Sequence, residues 1–164
     1  MSDLLTRAEY AAIAAALDFP KAAFIDGKYR AGRGAKLKTH NPATGKVICE
    51  IAACNEADVD LAVSKARQAF DQGHWAKLHP GERKDVLIRL CKLITRNRRE
   101  LAVMESLDSG KPIRDCERID SPDTIHTIKW HAEVADKLYD QTAPGGDDAI
   151  AMIVREPVGV VAAV

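Results

Sequence analysis

The sequence predicts an α/β chain: β-hairpins first, covering helices next, and strands of a further sheet at the end. Three observations carry this. Two short β-type runs near the front are each folded back by a turn signal, Asp26-Gly27 in one and Asn41-Pro42-Ala43-Thr44-Gly45 in the other. The middle of the chain repeats apolar residues at helical spacing. The final run, Val158-Gly159-Val160-Val161-Ala162-Ala163-Val164, is apolar with no polar alternation, which is the pattern of a strand buried on both faces.

The elements follow in order. Residues 2–18 are alanine-rich, and Leu4, Leu5, Tyr10, Ile13 and Leu17 form an approximate helical stripe. Asp18-Phe19-Pro20 ends that helix, because the residue before a proline is pushed out of the α region. This is a surface-docked helix, and residues 1–20 form the first segment. Residues 22–31 read as a hairpin around Asp26-Gly27, a type I′ turn pair. Gly32-Arg33-Gly34 is a flexible connection and lacks the third glycine, preceding parallel strand and following helix of a dinucleotide fingerprint. Residues 37–40 and 46–53 form a second strand pair, and both pairs are expected in one antiparallel sheet.

Asn55 caps a helix whose first turn carries Glu56 and Asp58, suited to the positive end of the dipole. Its stripe is Val59, Ala62, Val63, Ala66, Ala69 and Phe70, and Gln72-Gly73 ends it. His74-Trp75 is expected to pin the next loop onto the core. Pro80 opens a long helix marked by Val86, Leu87, Leu90, Ile94, Leu101 and Met104, with a charged patch over 96–100 where it bends or breaks. Ser109-Gly110-Lys111-Pro112 stops it. A short helix over 113–119 follows. Ser121-Pro122 starts another, with Ile125, Ile128, Ala132, Ala135 and Tyr139 as its stripe, ended by Pro144-Gly145-Gly146. In that helix His126 and Trp130 are spaced to touch. Residues 21–148 thus form one unit of hairpins and covering helices. Residues 149–157 hold a β-type strand over 150–155, broken by Pro157. Residues 158–164 begin a sheet whose neighbours the remaining sequence does not supply, so the chain reads as the front end of a larger protein.

Composition excludes several classes. The 24 basic and 24 acidic residues cancel, so there is no electrostatic case for nucleic acid or an anionic membrane. No apolar run approaches the ~18 residues of a transmembrane helix. The N-terminus lacks a signal-peptide pattern, and the four cysteines form no dense framework. A cytoplasmic protein is expected.

Candidate chemistry is sparse. Cys49 and Cys54 lack two further ligands at zinc-like spacing. Cys116 is flanked by Arg114 and Arg118, which lower a thiol pKa, but Asp115 and Glu117 offset them and no histidine is placed as a base. His74, His79, His126 and His131 have no recognised ligand spacing. Asp108 is distinctive: a carboxylate at a helix C-terminus is unfavourable against the dipole. It calls for compensation, from either a free backbone N–H or a bound cation.

Several stretches together resemble the NAD(P)-dependent aldehyde dehydrogenase superfamily. They are Asn41-Pro42-Ala43-Thr44-Gly45, Leu107-Asp108-Ser109-Gly110-Lys111-Pro112 and Met152-Ile153-Val154-Arg155-Glu156-Pro157-Val158-Gly159-Val160-Val161-Ala162-Ala163-Val164, in family order from Phe24 to Val164. The flavour is similar to enzymes of γ-glutamyl-γ-aminobutyraldehyde and related ω-amino aldehydes. The resemblance implies the N-terminal part of that fold, with hairpins and helices leading into an incomplete Rossmann-like sheet. It implies oxidation of an aldehyde to a carboxylate with NAD or NADP as cofactor of the full-length protein, and no cofactor for this chain alone. The family's nucleophilic cysteine, glutamate base and oxyanion asparagine fall beyond Val164. No catalytic or cofactor-binding residue is therefore assigned, and the isolated chain is expected to be incompetent. The resemblance also places a structural monovalent cation on Thr39, His40 and Asp108. The partner it implies is the rest of the fold or a homologous subunit, met through residues 149–164.

Two alternatives stay open on sequence: a non-enzymatic interaction module that pairs through its C-terminal strands, and a complete small α/β enzyme of unrelated chemistry.

Overall fold

The computed structural model describes residues 4–163. The order is α1 (Arg7–Ala16), β1 (Ala23–Ile25), β2 (Lys28–Arg30), β3 (Lys36–His40), β4 (Val47–Ala52), α2 (Glu56–Gln72), α3 (Pro80–Arg96), α4 (Arg98–Ser109), α5 (Ile113–Asp115), a π-helical segment (Cys116–Asp120), α6 (Ser121–Val134), β5 (Gln141–Ala143) and β6 (Ala151–Ile153). No helix among the described residues is long and apolar enough to cross a membrane.

α1 starts later than the alanine-rich composition suggests. Thr6 accepts from the Glu9 N–H while the Glu9 carboxylate accepts from the Thr6 N–H, a reciprocal cap that fixes the first turn. Leu4 and Leu5 therefore precede the helix, and residues 2 and 3 of the expected helix lie outside the described residues. β1 and β2 pair antiparallel with Phe24 opposite Tyr29, and Asp26 and Gly27 both take positive φ in the turn. β3 and β4 pair antiparallel with Thr39 opposite Cys49 and a register shift between Thr39 and His40. The expectation of one sheet is corrected: the hairpins form separate two-stranded sheets. The Gly32–Gly34 connection is pinned to the end of β4, the Gly34 N–H donating to the Ala53 carbonyl at 2.7 Å.

α2 begins at Asn55, which exchanges cap hydrogen bonds with Asp58. Its apolar stripe is formed but open, with Val59 and Val63 exposed and Asp58 buried instead. The buried Asp58 carboxylate accepts from the backbone N–H and the guanidinium of Arg33. His74-Trp75 does not pin its loop: Trp75 is exposed and His74 bonds only to Gln72, across a single turn.

The expected long helix is divided at Asn97, whose side chain bonds back to the Leu93 carbonyl at 3.0 Å. Gly110, at φ 76°, ends α4. α6 starts at Ser121-Pro122 as expected, but Ser121 does not cap a fresh helix end. The chain arrives there already helical through the π segment, and the Ser121 hydroxyl donates to the Cys116 carbonyl at 2.9 Å. Pro122 lacks an N–H and its ring clashes with the carbonyl of the preceding turn, which accounts for the widened turn just before it. α6 ends at Val134 rather than Tyr139. Trp130 packs edge-on against His131 rather than His126.

The core lies where α3, α4, the π segment and α6 meet. Cys91, Ala102, Val103, Cys116 and Ala132 are buried there. Beyond α6 the chain forms one more hairpin, β5 with β6, in which Thr142 faces Met152. β5 is absent from the sequence reading because Gln141-Thr142-Ala143 has no apolar alternation. The strand expected over 158–164 needs sheet neighbours that these residues do not supply. Residues 158–163 form no ladder hydrogen bonds, and Val158 is 90% exposed rather than buried; Val164 lies outside the described residues. A strand is defined by its neighbours, and none is paired with it here. Gly159 instead rests beside Arg67 and Phe70 of α2.

Candidate functional site

The only sequence-predicted site residues brought together are Thr39 and Asp108. Both line a cavity of about 410 Å³ between the β3–β4 hairpin, α4 and the segment after α1. Thr39 is placed by the hairpin register opposite Cys49, and its hydroxyl lies 3.3 Å from the Cys49 sulfur and 3.4 Å from the Cys49 carbonyl. Asp108 comes from the last turn of α4, one turn beyond Glu105, so both carboxylates reach the same cavity. Ile51, Leu101 and Met104 supply apolar wall. His40 follows the register shift, is exposed and lies outside the cavity lining.

The compensation expected for Asp108 is not a local hydrogen bond among the described residues. Ser109 takes that place, accepting from the Lys111 N–H at 3.2 Å and donating to the Glu105 carbonyl at 2.7 Å. The Asp108 carboxylate is thus left facing the cavity at the negative end of α4.

A second cluster lies behind α4. Glu105, Cys116 and Asp120 bring donor atoms within 4.8 Å of one another. The Lys111 ammonium pairs with Asp120, so a cation of the protein already occupies the cluster. Burial and then the neighbouring Asp120 hold the Glu105 carboxyl above its ordinary value. Burial, followed by Glu105 and Asp120, pushes the Cys116 thiol up as well. A buried thiol kept protonated by carboxylates is a poor nucleophile. Cys116 is a packing residue, and Arg114 pairs with Asp115 rather than with its sulfur.

Sequence reasoning missed Glu117. It is 1% exposed, accepts a hydrogen bond from the Tyr10 hydroxyl, and lies 3.6 Å from Arg99 Nε. The Arg114–Arg118 run reads as a solvated face, and its partner Tyr10 is 107 positions away, beyond any local signal. Glu105 was findable, since it precedes Asp108 by one helical turn.

The glycine-rich stretch does not suit a dinucleotide phosphate. A Cβ on Gly32 would sit 2.3 Å from the Ala53 carbonyl oxygen, so the space beside it holds backbone. Arg33 is held by Asp58.

The aldehyde dehydrogenase family profile matches residues 29–164, most of the chain. The chain belongs to the aldehyde dehydrogenase family. It is 56% identical over 162 residues to an aminoacetaldehyde dehydrogenase of Pseudomonas aeruginosa, covering 98% of this chain and 33% of that protein. It is 42% identical over 142 residues to an NADP/NAD-dependent aldehyde dehydrogenase of Escherichia coli, covering 86% and 29%. Among solved structures it is similar to a γ-glutamyl-γ-aminobutyraldehyde dehydrogenase of Burkholderia cenocepacia, with TM-score 0.91 and 41% identity over 94% of this chain and 32% of that one. An indole-3-acetaldehyde dehydrogenase of P. syringae in complex with NAD+ matches with TM-score 0.91 and 40% identity, covering 95% and 32%. The aldehyde dehydrogenase chain described here spans about a third of the length of these relatives. Its α/β architecture is that of their N-terminal portion.

Proposed function

We propose that this chain is the N-terminal part of an enzyme that oxidises an amino aldehyde, of the ω-amino or γ-glutamyl-amino type, to the carboxylate with NAD+ or NADP+. The observation that carries the reading is the 56% identity to an aminoacetaldehyde dehydrogenase along nearly the whole chain. The contribution of the 164 residues is structural. The helices supply a self-contained core, and the open α2 stripe, the β5–β6 hairpin and the tail offer apolar surface to the rest of the fold or to a homologous subunit. The described side chains supply no thiolate nucleophile with a base beside it, so turnover by these residues alone is not expected. The protein is expected to work in the cytoplasm.

The test is aldehyde-dependent reduction of NAD+ or NADP+, followed at 340 nm, by the native protein and by the 164 residues alone. Aminoacetaldehyde turnover by the native protein, with none by the 164 residues, supports the reading. Turnover by the 164 residues, or a native protein inert towards every amino aldehyde tried, overturns it.

Thr39 and Asp108 are proposed to hold a structural monovalent cation, with the His40 backbone as third contributor. The support is the uncompensated Asp108 carboxylate facing Thr39 across one cavity. Crystals grown in caesium should show an anomalous peak beside Asp108, and a featureless map there removes the site.

A second reading, a non-enzymatic module pairing through residues 149–164, is favoured by one observation: Ile150, Met152 and Ile153 all stand exposed on β6 or beside it.

A further inference from the structure

We infer that α1 is a detachable strap, anchored by Tyr10 on the buried Glu117, whose docking sets the width of the cavity shared by Thr39, Cys49 and Asp108.

The anchoring is specific. α1 packs against α4, yet none of its residues is buried. Two cavities, of about 410 and 470 Å³, flank it where Ile13 and the 12–18 segment approach Arg96–Glu100 and Glu100. Apolar contact is therefore incomplete. Among the described residues, the one side-chain hydrogen bond from α1 to the body is Tyr10 to Glu117. Burial and the Glu117 carboxylate both raise the Tyr10 phenol above its ordinary value, so it stays a donor. Without that donor the Glu117 carboxylate keeps only Arg99, and a buried carboxylate short of partners is unfavourable. One hydrogen bond thus decides most of the docking.

The coupling runs through the chain just after α1. Leu17 is extended, so the helix stops there. Phe19 and Pro20 then form one wall of the cavity, facing Cys49 and Asp108. Proline keeps this connection from joining the helix. When α1 lifts, Phe19 has no anchor within three residues on its N-terminal side and the wall moves with it. The family profile begins at Tyr29, but the 162-residue match to the aminoacetaldehyde dehydrogenase and the 95% coverage in a solved relative take in the strap and the wall as well. The device does not depend on a cation being bound.

Cys49 reports the wall directly. Cys54 is exposed, while Cys91 and Cys116 are buried in the helical core. Tyr10→Phe is made in the source gene, so that whatever follows Val164 is retained, and iodoacetamide labelling of each cysteine is timed by peptide mass spectrometry. Hydrogen exchange of the Arg7–Ala16 amides is followed in parallel. Both Cys49 labelling and α1 exchange should accelerate by about fivefold, the factor set by one hydrogen bond. Cys54 should be unchanged, and Cys91 and Cys116 should stay protected. Faster α1 exchange with an unchanged Cys49 rate overturns the inference, as does no change in either. If Cys91 and Cys116 become reactive, the variant has unfolded. The double variant Thr6→Ala with Glu9→Ala, which removes the reciprocal cap of α1 and the attraction of Glu9 to Arg99 while leaving Tyr10 and Glu117 in place, then decides by the same two readouts.

Discussion

Two stretches of this chain, the helical core and the tail, treat similar residues in opposite ways. Ala132 in α6 and Cys116 in the π segment are fully hidden, closed in by α3 and α4. Some twenty-five residues on, Val158 is 90% exposed and Val161 71%, although the sequence there is the more apolar. Apolar composition is therefore not what decides burial here. Helices α3, α4 and α6 and the π segment find one another within the chain, each with a facing stripe to bury against, whereas the α2 stripe stays open. The β5–β6 hairpin and the tail have no such neighbour, whereas Ile25 of β1 is buried and the β3–β4 hairpin meets α4. Each of the three sheets has two strands, and an isolated two-stranded ribbon is marginal in water. The helical half holds most of the buried core, and the C-terminal strand and tail leave large apolar side chains exposed.

Substitution should separate the halves. Ala132→Leu enlarges a side chain at a fully buried site between α6 and its neighbours. It should lower stability by about 3 kcal/mol in urea unfolding. A loss under about 0.5 kcal/mol would mean that the helical core is looser than its burial indicates. Gly110→Ala should come next, at about 1.5 kcal/mol. It places a side chain at φ 76°, 2.7 Å from Pro42 Cγ, and so tests the joint between α4 and the β3–β4 turn. Val158→Thr should change the stability of the 164 residues by less than about 0.5 kcal/mol, since nothing packs on it there. In the native protein the same change should be more damaging by at least about 1 kcal/mol if the tail is covered. Equal effects in both would erase the distinction between the halves.

The smallest effect concerns charge. Lys137, and then Lys84 reaching across from α3, hold the Asp136 carboxyl at about 2, below its ordinary 3.8. A depressed carboxylate stabilises the fold above its ordinary value, and the contribution disappears as pH falls through about 2. Lys84→Ala should raise the Asp136 midpoint in an NMR titration while leaving Lys137 to keep part of the depression. An unmoved midpoint would remove the link between α3 and the end of α6.

Most of the fold was legible where chemistry is local. Asp26-Gly27 and Asn55 act through their own backbone neighbours, so turn and cap could be placed from sequence. Asn97 could only be narrowed to a charged patch, because a bend and a break look alike there. β5 was invisible, since Gln141-Thr142-Ala143 becomes a strand only through β6. Of the candidate site, Asp108 announced itself by an unfavourable dipole position, and the family resemblance drew attention to Thr39. Phe19, Pro20 and Cys49 could not be placed beside them, because no local rule joins a post-helical turn to a hairpin. Glu117 was hidden for the same reason.

The central claim is that these residues are the front third of an amino aldehyde dehydrogenase and that the exposed ends are covered in the working protein. The most direct test is the intact mass of the protein isolated from its source. The account predicts about three times the 17.9 kDa of this chain. A native product of 17.9 kDa would contradict it, and would leave residues 149–164 as an interaction surface in their own right.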